Sequence, residues 1–265
     1  MLKRFSLLLS NLIERPFMND EIIAGHYKVI KHIGMGSYGH SYLVFDLLTS
    51  QKKVLKVLRL HKRITPAGRK GFALEKKLLS SIDHPGFPKY FEDGIYKNIP
   101  FFTMEFIDGK TFEQLIFSEG RKISEIEAFK IMDDLLQYIE YLHSQNIIHR
   151  DIRIPNVLLE GSKIRLIDLG LAVHLRGEKN VRAANDWDIR REGSQRADFY
   201  GLGHFLLFLL YSNYSFDKYE EEKSWSEELN ISSEAKQIIK RLLQIEPAYE
   251  HCTQIRADIK KIYKV

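Results

Sequence analysis

The spacing of apolar residues changes along this chain, and that change limits the folds it can adopt. Residues 27–33 alternate apolar and polar side chains, a cluster of glycines follows, and the alternation resumes over residues 41–45. This period of two, broken by glycine, predicts a β-hairpin. Residues 53–58 predict a third strand, and two more are expected over residues 87–92 and 100–106. The first part of the chain is therefore expected to form a small antiparallel β-sheet.

One helix is expected within this sheet region, and helices dominate the rest of the chain. Apolar residues recur at helical spacing over residues 69–82. Ser124 and Glu127 have the spacing of a capping box, and a long amphipathic pattern comes after them. Further helices are predicted over residues 199–212, 233–245 and 253–263. This order predicts an α+β fold with a small β-rich lobe, a larger helical lobe and a boundary near residues 105–109.

Composition excludes several classes of protein. The chain has 265 residues, 44% of them hydrophobic, which is enough for a folded core. A single cysteine, Cys252, excludes a disulfide framework and favours a reducing, cytoplasmic location. The net charge of +5 comes without a dominant block of Lys and Arg, so no specific nucleic-acid partner is predicted. The most apolar run, residues 205–211, is too short to span a bilayer and predicts a buried helix.

The first 17 residues begin with a basic pair and an apolar stretch, as a signal peptide does. Polar residues interrupt the stretch, and no small-residue cleavage site comes after it. Residues 1–17 are therefore interpreted as an amphipathic helix that ends before Pro16. Packing against the chain's own domain is the favoured interpretation, and weak contact with a membrane or a partner is the alternative. The oligomeric state is left open.

A short polar set in the second half of the chain carries the strongest chemical signal. Asp151 can accept the proton of a hydroxyl group, and Arg153 can steady a moving phosphoryl group. Asn156 and Asp168 offer oxygen atoms that suit a hard metal ion such as Mg²⁺. This combination predicts phosphoryl transfer. The neighbouring His149 is expected to be a packed core residue rather than a catalyst.

The glycines at positions 34, 36 and 39 match the pattern G-x-G-x-x-G. In a dinucleotide-binding fold the third glycine opens a helix, whereas here it precedes a predicted strand. A glycine-rich hairpin can lie over a triphosphate with its N–H groups facing the oxygens. An ordinary loose turn is an equally good interpretation of these residues alone.

Lys56 and Glu75 form a second candidate pair. Lys56 lies in an apolar strand, where a lysine more often reaches to the surface than binds a ligand. Glu75 lies in a predicted helix among several lysines and could simply face solvent. Together, however, a helix carboxylate and a strand ammonium can orient the lysine toward nucleotide phosphates.

In their order along the chain, these motifs resemble the Hanks-type, or eukaryotic-like, Ser/Thr protein kinases. The resemblance runs from about Tyr27 to Ile262 and includes Asp-Leu-Gly at 168–170 and Asp-Phe-Tyr-Gly-Leu-Gly at 198–203. The short chain and the Asp-Ile-Arg-x-Pro-Asn loop are most similar to short soluble bacterial kinases of the YbdM type. The resemblance implies ATP and Mg²⁺ (or Mn²⁺) as cofactors and Ser or Thr of proteins as acceptors.

The resemblance also implies which residues contact the nucleotide. Met104 resembles the gatekeeper, Glu105–Ile107 the adenine-binding hinge and Leu158 the floor beneath adenine. The implied nucleotide-binding set is Ile33, Gly34, Gly36, Ser37, Gly39, Ser41, Val54, Lys56, Met104, Glu105, Ile107 and Leu158. The implied metal ligands are Asn156 and Asp168. The residues that resemble the hydrophobic spine and its anchor are Leu79, Tyr90, His149, Leu169 and Asp198.

The chain departs from the family pattern at several positions. Ser41 stands where valine is usual, and Val54 where a small residue is usual. Leu169 replaces the phenylalanine of the usual Asp-Phe-Gly motif. No Ala-Pro-Glu motif is present beyond them, and the corresponding stretch is Ala184–Asp186. The distal arginine that pairs with that glutamate is not recognisable within residues 246–251. The last two departures bear on how a peptide substrate is positioned.

Arg150 has a further consequence. In the family, an arginine before the catalytic aspartate often pairs with a phosphorylated activation loop. Residues 168–193 contain no Ser, Thr or Tyr, so that loop cannot be phosphorylated on a hydroxyl group. A carboxylate is therefore predicted to neutralise Arg150, and backbone carbonyl groups are the alternative partners. The candidate carboxylates are those of Glu178, Asp186, Asp188 and Glu192.

The sequence is thus interpreted as an ATP-dependent Ser/Thr protein kinase, with Asp151 as the base. The kinase domain is expected over residues 25–265, with an N-lobe to about 104, a hinge at 105–109 and a C-lobe from 110. The missing docking loop favours one alternative, a small-molecule kinase of the same fold. A nucleotide-binding pseudokinase that acts through partners is a second alternative, but every charged catalytic residue is present.

Overall fold

The computed structural model describes residues 16–36, 39–175, 189, 192–214 and 223–263. The predicted helix over residues 1–17 lies outside these ranges except for its last two positions. Two compact units make up the chain, Met1–Asp108 with Leu169–Leu171, and Gly109–Asp168 with Ala172–Val265. Within the described ranges, every helix is too short or too polar to cross a membrane.

The first unit is built on a six-stranded antiparallel sheet. Its strands are β1 (Ile22–Ile23), β2 (Tyr27–Met35), β3 (Gly39–Asp46), β4 (Gln51–Leu58), β5 (Tyr90–Tyr96) and β6 (Ile99–Glu105). They lie in the order β1-β2-β3-β4-β6-β5. The predicted hairpin and third strand are confirmed. The strand expected over residues 87–92 begins later and runs further, because Lys97 and Asn98 adopt left-handed backbone angles and turn the chain tightly into β6.

Two helices come after β4 in this unit, α1 (Leu60–Arg63) and α2 (Pro66–Ser81). The helix expected over residues 69–82 begins earlier because Thr65 caps it. The Thr65 hydroxyl accepts a hydrogen bond of 3.1 Å from the Gly68 amide, and Pro66 suits the first helical turn. The short helix α1 was not expected from the sequence.

The second unit is mainly helical. Its helices are α3 (Glu125–Ser144), α4 (Gln195–Tyr211), α5 (Trp225–Glu228), α6 (Ser233–Leu242) and α7 (Cys252–Ile262), with a π-helical turn at Gln114–Ser118 and a 3₁₀ turn at Ile154–Asn156. Its strands are β7 (Lys110–Thr111), β8 (Ile147–Ile148), β9 (Val157–Glu160), β10 (Lys163–Leu166) and β11 (Val173–His174). Strands β10, β9 and β7 form one small sheet, and β11 pairs with β8. The α+β fold class is confirmed.

Three details of the predicted helices are wrong. Helix α4 begins before residue 199, after Ser194, and α6 ends before residue 245 because Gln244 turns left-handed. The Ser124 hydroxyl caps α3 by accepting from the Glu127 amide, as expected. The Glu127 carboxylate, however, accepts a bond of 2.6 Å from Arg121 instead of completing a capping box.

Candidate active site

The glycine cluster forms the turn of the hairpin between β2 and β3. Gly34 pairs with Ser41 across the two strands, and the Gly36 amide donates a 2.8 Å bond to the Gly39 carbonyl. A Cβ atom on Gly39 would lie 2.4 Å from the Val57 carbonyl oxygen, so only glycine fits there. Ser37 lies outside the described residues. Because Gly39 opens a strand, the dinucleotide-binding interpretation of this motif does not apply.

One face of the sheet gathers several of the predicted nucleotide-binding residues. Ser41 is the direct partner of Lys56, and Val54 is the direct partner of Met104. Directly opposed residues lie on the same face, and so do residues two apart in one strand. The four side chains therefore share this face. The opposite face carries a packed cluster of Ile23, Tyr27, Val29, Tyr42, Val44, Leu55, Val57 and Phe101.

Lys56 and Glu75 form a buried ion pair. Each is only 3% exposed, and the Lys56 ammonium donates to the Glu75 carboxylate. Helix α2 packs on this face of the sheet, where the Phe72 and Phe102 rings lie 5.1 Å apart. That packing brings Glu75 to the strand. The pairing expected from the sequence is present, and the interpretations of a surface-reaching lysine and a solvent-facing glutamate are wrong.

The last residue of β6 and the segment after it contain the predicted hinge residues. The Glu105 amide donates a 2.8 Å bond to the Lys89 carbonyl, and its carboxylate accepts from the Lys89 amide at 3.1 Å. Ile107 is buried, whereas Ile33 on β2 is exposed. In the second unit, Leu158 is buried in β9. Contact of these residues with adenine stays a prediction.

Asp198 holds the backbone of the loop before Asp151. It is fully buried at the start of α4, and its carboxylate accepts from the amides of His149 at 3.0 Å and Arg150 at 2.7 Å. Arg150 has a φ of 65°, a left-handed conformation that a non-glycine residue rarely adopts without support. The bonds that these two amides donate to Asp198 supply that support. The fully buried His149 confirms its expected place in the core.

Asp151 is held on both sides by side chains of the same loop. Its Oδ1 atom lies 3.0 Å from Arg153 Nε, and its Oδ2 atom accepts a 2.8 Å bond from Asn156 Nδ2. The same Asn156 nitrogen donates to the Asp151 carbonyl at 2.9 Å. The carboxylate is thus fixed in orientation while remaining partly accessible, as a proton acceptor must be.

Asn156 and Asp168 lie at adjacent ends of one strand pair. Leu166 pairs with Val157, and the Ile167 amide donates a 2.8 Å bond to the Asn156 carbonyl. Because Asn156 turns its amide nitrogen toward Asp151, its side-chain oxygen is the atom left to bind a ligand. Asp168 has a φ of 66°, a second strained position. An amide oxygen and a carboxylate are a donor set that fits Mg²⁺.

One residue of this site was missed by sequence reasoning. His143, in the last turn of α3, donates a 2.9 Å bond from its Nε2 atom to the Asp198 carboxylate. Its other ring nitrogen lies 3.9 Å from the Cys252 sulfur. Burial and the nearby Glu140 carboxylate raise the pKa of the Cys252 thiol to about 12, so this cysteine is a neutral packing residue. The available signal was that position 143 continues the buried stripe of α3.

Several predicted features fall where no geometry is described. Glu178, Asp186 and Asp188 lie outside the described residues, as does the stretch Ala184–Asp186. The fourth candidate, Glu192, is described, and its amide donates a 3.2 Å bond to the Ile189 carbonyl. A carboxylate partner for Arg150 stays a prediction. Among the spine residues, Tyr90 is only half-buried and donates to Asp93. The arrangement of the spine also stays a prediction.

Comparison with known proteins assigns this chain to a family. Residues 27–261 match the family described as protein kinase domain. The chain therefore belongs to the protein kinase family, as the resemblance of its motifs predicted. Members of this family are phosphotransferases that generally use ATP and Mg²⁺ and act on proteins.

Individual relatives refine the comparison. The chain is 37% identical over 255 residues to the probable serine/threonine-protein kinase YbdM of Bacillus subtilis, covering 96% of each protein. It is 28% identical over 207 residues to the serine/threonine-protein kinase PrkC of Bacillus subtilis, covering 74% of this chain and 32% of that protein. The crystal structure of the Mycobacterium tuberculosis PknI kinase domain matches with a TM-score of 0.71 at 20% identity, covering 93% of this chain and 99% of that chain. The likeness to PknI shows the fold alone.

Proposed function

We propose that this protein transfers the γ-phosphate of ATP to Ser or Thr hydroxyl groups of protein substrates. The observation that carries the proposal is the Asp151 carboxylate, oriented by Arg153 and Asn156. Asp151 takes the proton of the acceptor hydroxyl, whose oxygen forms the new bond to the γ-phosphorus. The bond from that phosphorus to the β–γ bridging oxygen breaks, and ADP leaves. Arg153 contacts the γ-phosphate and offsets its charge.

Residues of the first unit are proposed to hold the nucleotide. The buried Glu75 carboxylate fixes the Lys56 ammonium, which meets the phosphates. Backbone amides of the glycine hairpin cover the phosphate oxygens. The adenine ring is proposed to lie against Ile33, Ser41, Val54, Met104, Ile107 and Leu158, with a backbone contact at Glu105.

Asn156 and Asp168 are proposed to bind Mg²⁺ (or Mn²⁺) through their side-chain oxygens. When bound, the metal neutralises charge on the phosphates. The protein's own contribution is to present the two oxygens at the adjacent ends of β9 and β10. The kinase domain is proposed to span residues 25–265, with the lobes divided by a hinge at residues 105–109.

A transfer assay tests this function. The protein is incubated with Mg²⁺ and labelled ATP, with and without a generic protein acceptor. Lys56→Ala and Asp168→Asn are expected to lower transfer by on the order of 10²-fold or more. The first removes the ammonium proposed to meet the phosphates, and the second weakens a proposed ligand of the metal that would neutralise their charge. The matched variant Lys52→Ala, an exposed residue of the same strand, is expected to transfer at the wild-type rate.

Two outcomes of this assay would contradict the proposed function. ATP binding without transfer by the wild-type protein would indicate a pseudokinase. Label that appears only on small metabolites would indicate a small-molecule kinase, the class that the unrecognised Ala-Pro-Glu motif favours. Transfer to Tyr rather than Ser or Thr would correct the acceptor while leaving the reaction intact.

Activity is also expected to be independent of phosphorylation between residues 168 and 193. That stretch has no hydroxyl side chain, so a phosphatase finds no phosphate ester to remove from it. Phosphatase treatment is therefore expected to leave the rate of phosphoryl transfer unchanged within about twofold. Peptide mapping of the purified protein after incubation with ATP measures this directly. A phosphosite mapped to residues 168–193 would contradict the expectation. The nearest hydroxyl beyond the stretch belongs to Ser194.

A further inference from the structure

The outer surface of α1 and α2 is positively charged. Residues 47–74 contain no Asp or Glu, and the single acid of α2 is Glu75, which is buried against Lys56. Among the lysines of α2, Lys76 pairs with Asp93 at 2.7 Å. Four further cations lie on these helices and are here called the basic face, namely Arg63, which is half-buried, and the exposed Arg69, Lys70 and Lys77. A surface of one sign attracts a partner of the opposite sign.

The basic face is fixed in shape by contacts between α1 and the first turn of α2. The Arg69 side chain donates a 2.6 Å bond to the Arg63 carbonyl, which ties the two helices together. A Cβ atom at Gly68 would lie 2.4 Å from the Lys62 carbonyl oxygen, so the two backbones are in close contact. A preformed surface loses less conformational entropy when it binds a partner.

The spacing of the cations suits an extended chain. Lys70 and Lys77 lie two turns apart on one side of α2, about 10 Å along its axis. The small, exposed Ala73 lies between them and leaves a shallow floor. In an extended segment, about three residues span the same distance. Carboxylates at that spacing can meet both lysines at once.

The other side chains of this surface select among anionic partners. Residues 59–81, all of them described, contain one Phe, Tyr or Trp, Phe72, and it is buried, while the one imidazole ring, that of His61, is only half-exposed, so bases find no well-exposed ring on which to stack. Ile64, in the connection between α1 and α2, is the one large apolar side chain of residues 59–81 that is well exposed, at 66%. One isoleucine is too small an apolar face for an interfacial membrane helix. An acidic protein segment with a single apolar anchor fits these features.

We propose that the basic face is a docking surface for an acidic segment of the protein substrate. This inference rests on the proposed function, since the docked protein is the phosphoryl acceptor. Docking through charge speeds encounter and lowers the KM for acidic substrates. It leaves the chemical step unchanged, because none of its cations belongs to the set proposed to contact ATP.

The test compares two triple variants. Arg69→Gln/Lys70→Gln/Lys77→Gln removes the three exposed cations of the basic face and leaves the half-buried Arg63, and Lys122→Gln/Lys163→Gln/Lys260→Gln removes three exposed cations of the second unit. For dephosphorylated casein, an acidic acceptor, the first variant is expected to raise KM about tenfold with kcat and the KM for ATP unchanged. With myelin basic protein it is expected to match the wild type. The control variant is expected to stay within about twofold for both acceptors.

A binding measurement separates docking from catalysis. Asp151→Asn protein is titrated with a fluorescein-labelled oligoglutamate peptide, alone and combined with each triple variant. Loss of binding with the basic-face variant alone supports docking, even if no protein acceptor is ever phosphorylated, in which case only the proposed function fails. An unchanged casein KM, unchanged peptide binding, or tighter binding of single-stranded DNA or phosphatidylserine vesicles to the basic face would overturn the docking proposal.

Discussion

Replacing Asp151 with Asn is expected to lower kcat by about 10³-fold while leaving ATP affinity nearly unchanged. Asparagine has the same shape and keeps one oxygen that can accept the bond from Asn156 Nδ2, so the loop retains its geometry. An amide cannot take the proton of the acceptor hydroxyl, and that proton must leave as the phosphorus–oxygen bond forms. The change therefore acts on the chemical step. Single-turnover transfer and titration with a fluorescent ATP analogue measure the two quantities separately.

Two further variants bracket this result. Arg153→Gln removes the ion pair at Asp151 Oδ1 but keeps the carboxylate, so a smaller fall of about tenfold is expected. Asp20→Asn changes an exposed carboxylate of the first unit and is expected to have no effect on kcat. Retention of more than a tenth of the wild-type kcat by Asp151→Asn would show that another group accepts the proton. Loss of ATP binding in that variant would assign Asp151 to the nucleotide instead.

The regular parts of the fold could be predicted because their signals are local. The hairpin of β2 and β3 is indicated by alternation broken by glycine, and α3 is indicated by a long helical stripe after Ser124. The errors occur where single contacts decide an element's end. Thr65 extends α2, Arg121 diverts Glu127 from the capping box, and left-handed Gln244 ends α6. Such contacts depend on neighbours that a periodicity does not specify.

The candidate site could be predicted where its residues lie close together in the sequence. It could be predicted less well where packing brings together residues that are distant in the sequence. Asp151, Asn156 and Asp168 lie close in sequence and match a known order. The pairing of Lys56 with Glu75 required the packing of a helix on a sheet, and sequence alone left each residue with a plausible solvent-facing interpretation. His143 was missed because a buried histidine in an apolar stripe looks like any core residue.

Replacing Asp198 with Asn is expected to lower the free energy of unfolding of the second unit by about 3 kcal/mol and to abolish detectable transfer. The buried carboxylate accepts from the amides of His149 and Arg150 and bonds to His143. An asparagine has one acceptor oxygen and turns an NH₂ group toward one of these amides, which leaves a buried donor unsatisfied. Arg150 then loses the bond that supports its left-handed backbone, and Asp151 is the next residue in the chain. Urea unfolding monitored by circular dichroism measures the stability.

Two further variants separate a loss of folding stability from a loss of the backbone geometry that positions Asp151. His143→Asn keeps both backbone bonds to Asp198 and removes one side-chain partner, so it is expected to cost about 1 kcal/mol and to retain most activity. Glu113→Gln, an exposed change in the same unit, is expected to leave both quantities at wild type. If Asp198→Asn unfolds at the wild-type urea concentration and still transfers phosphate, then the strained backbone at Arg150 needs no anchor. The loss is expected to be larger for activity than for stability, because misplacing Asp151 by about 1 Å is enough to cost on the order of 10²-fold in rate.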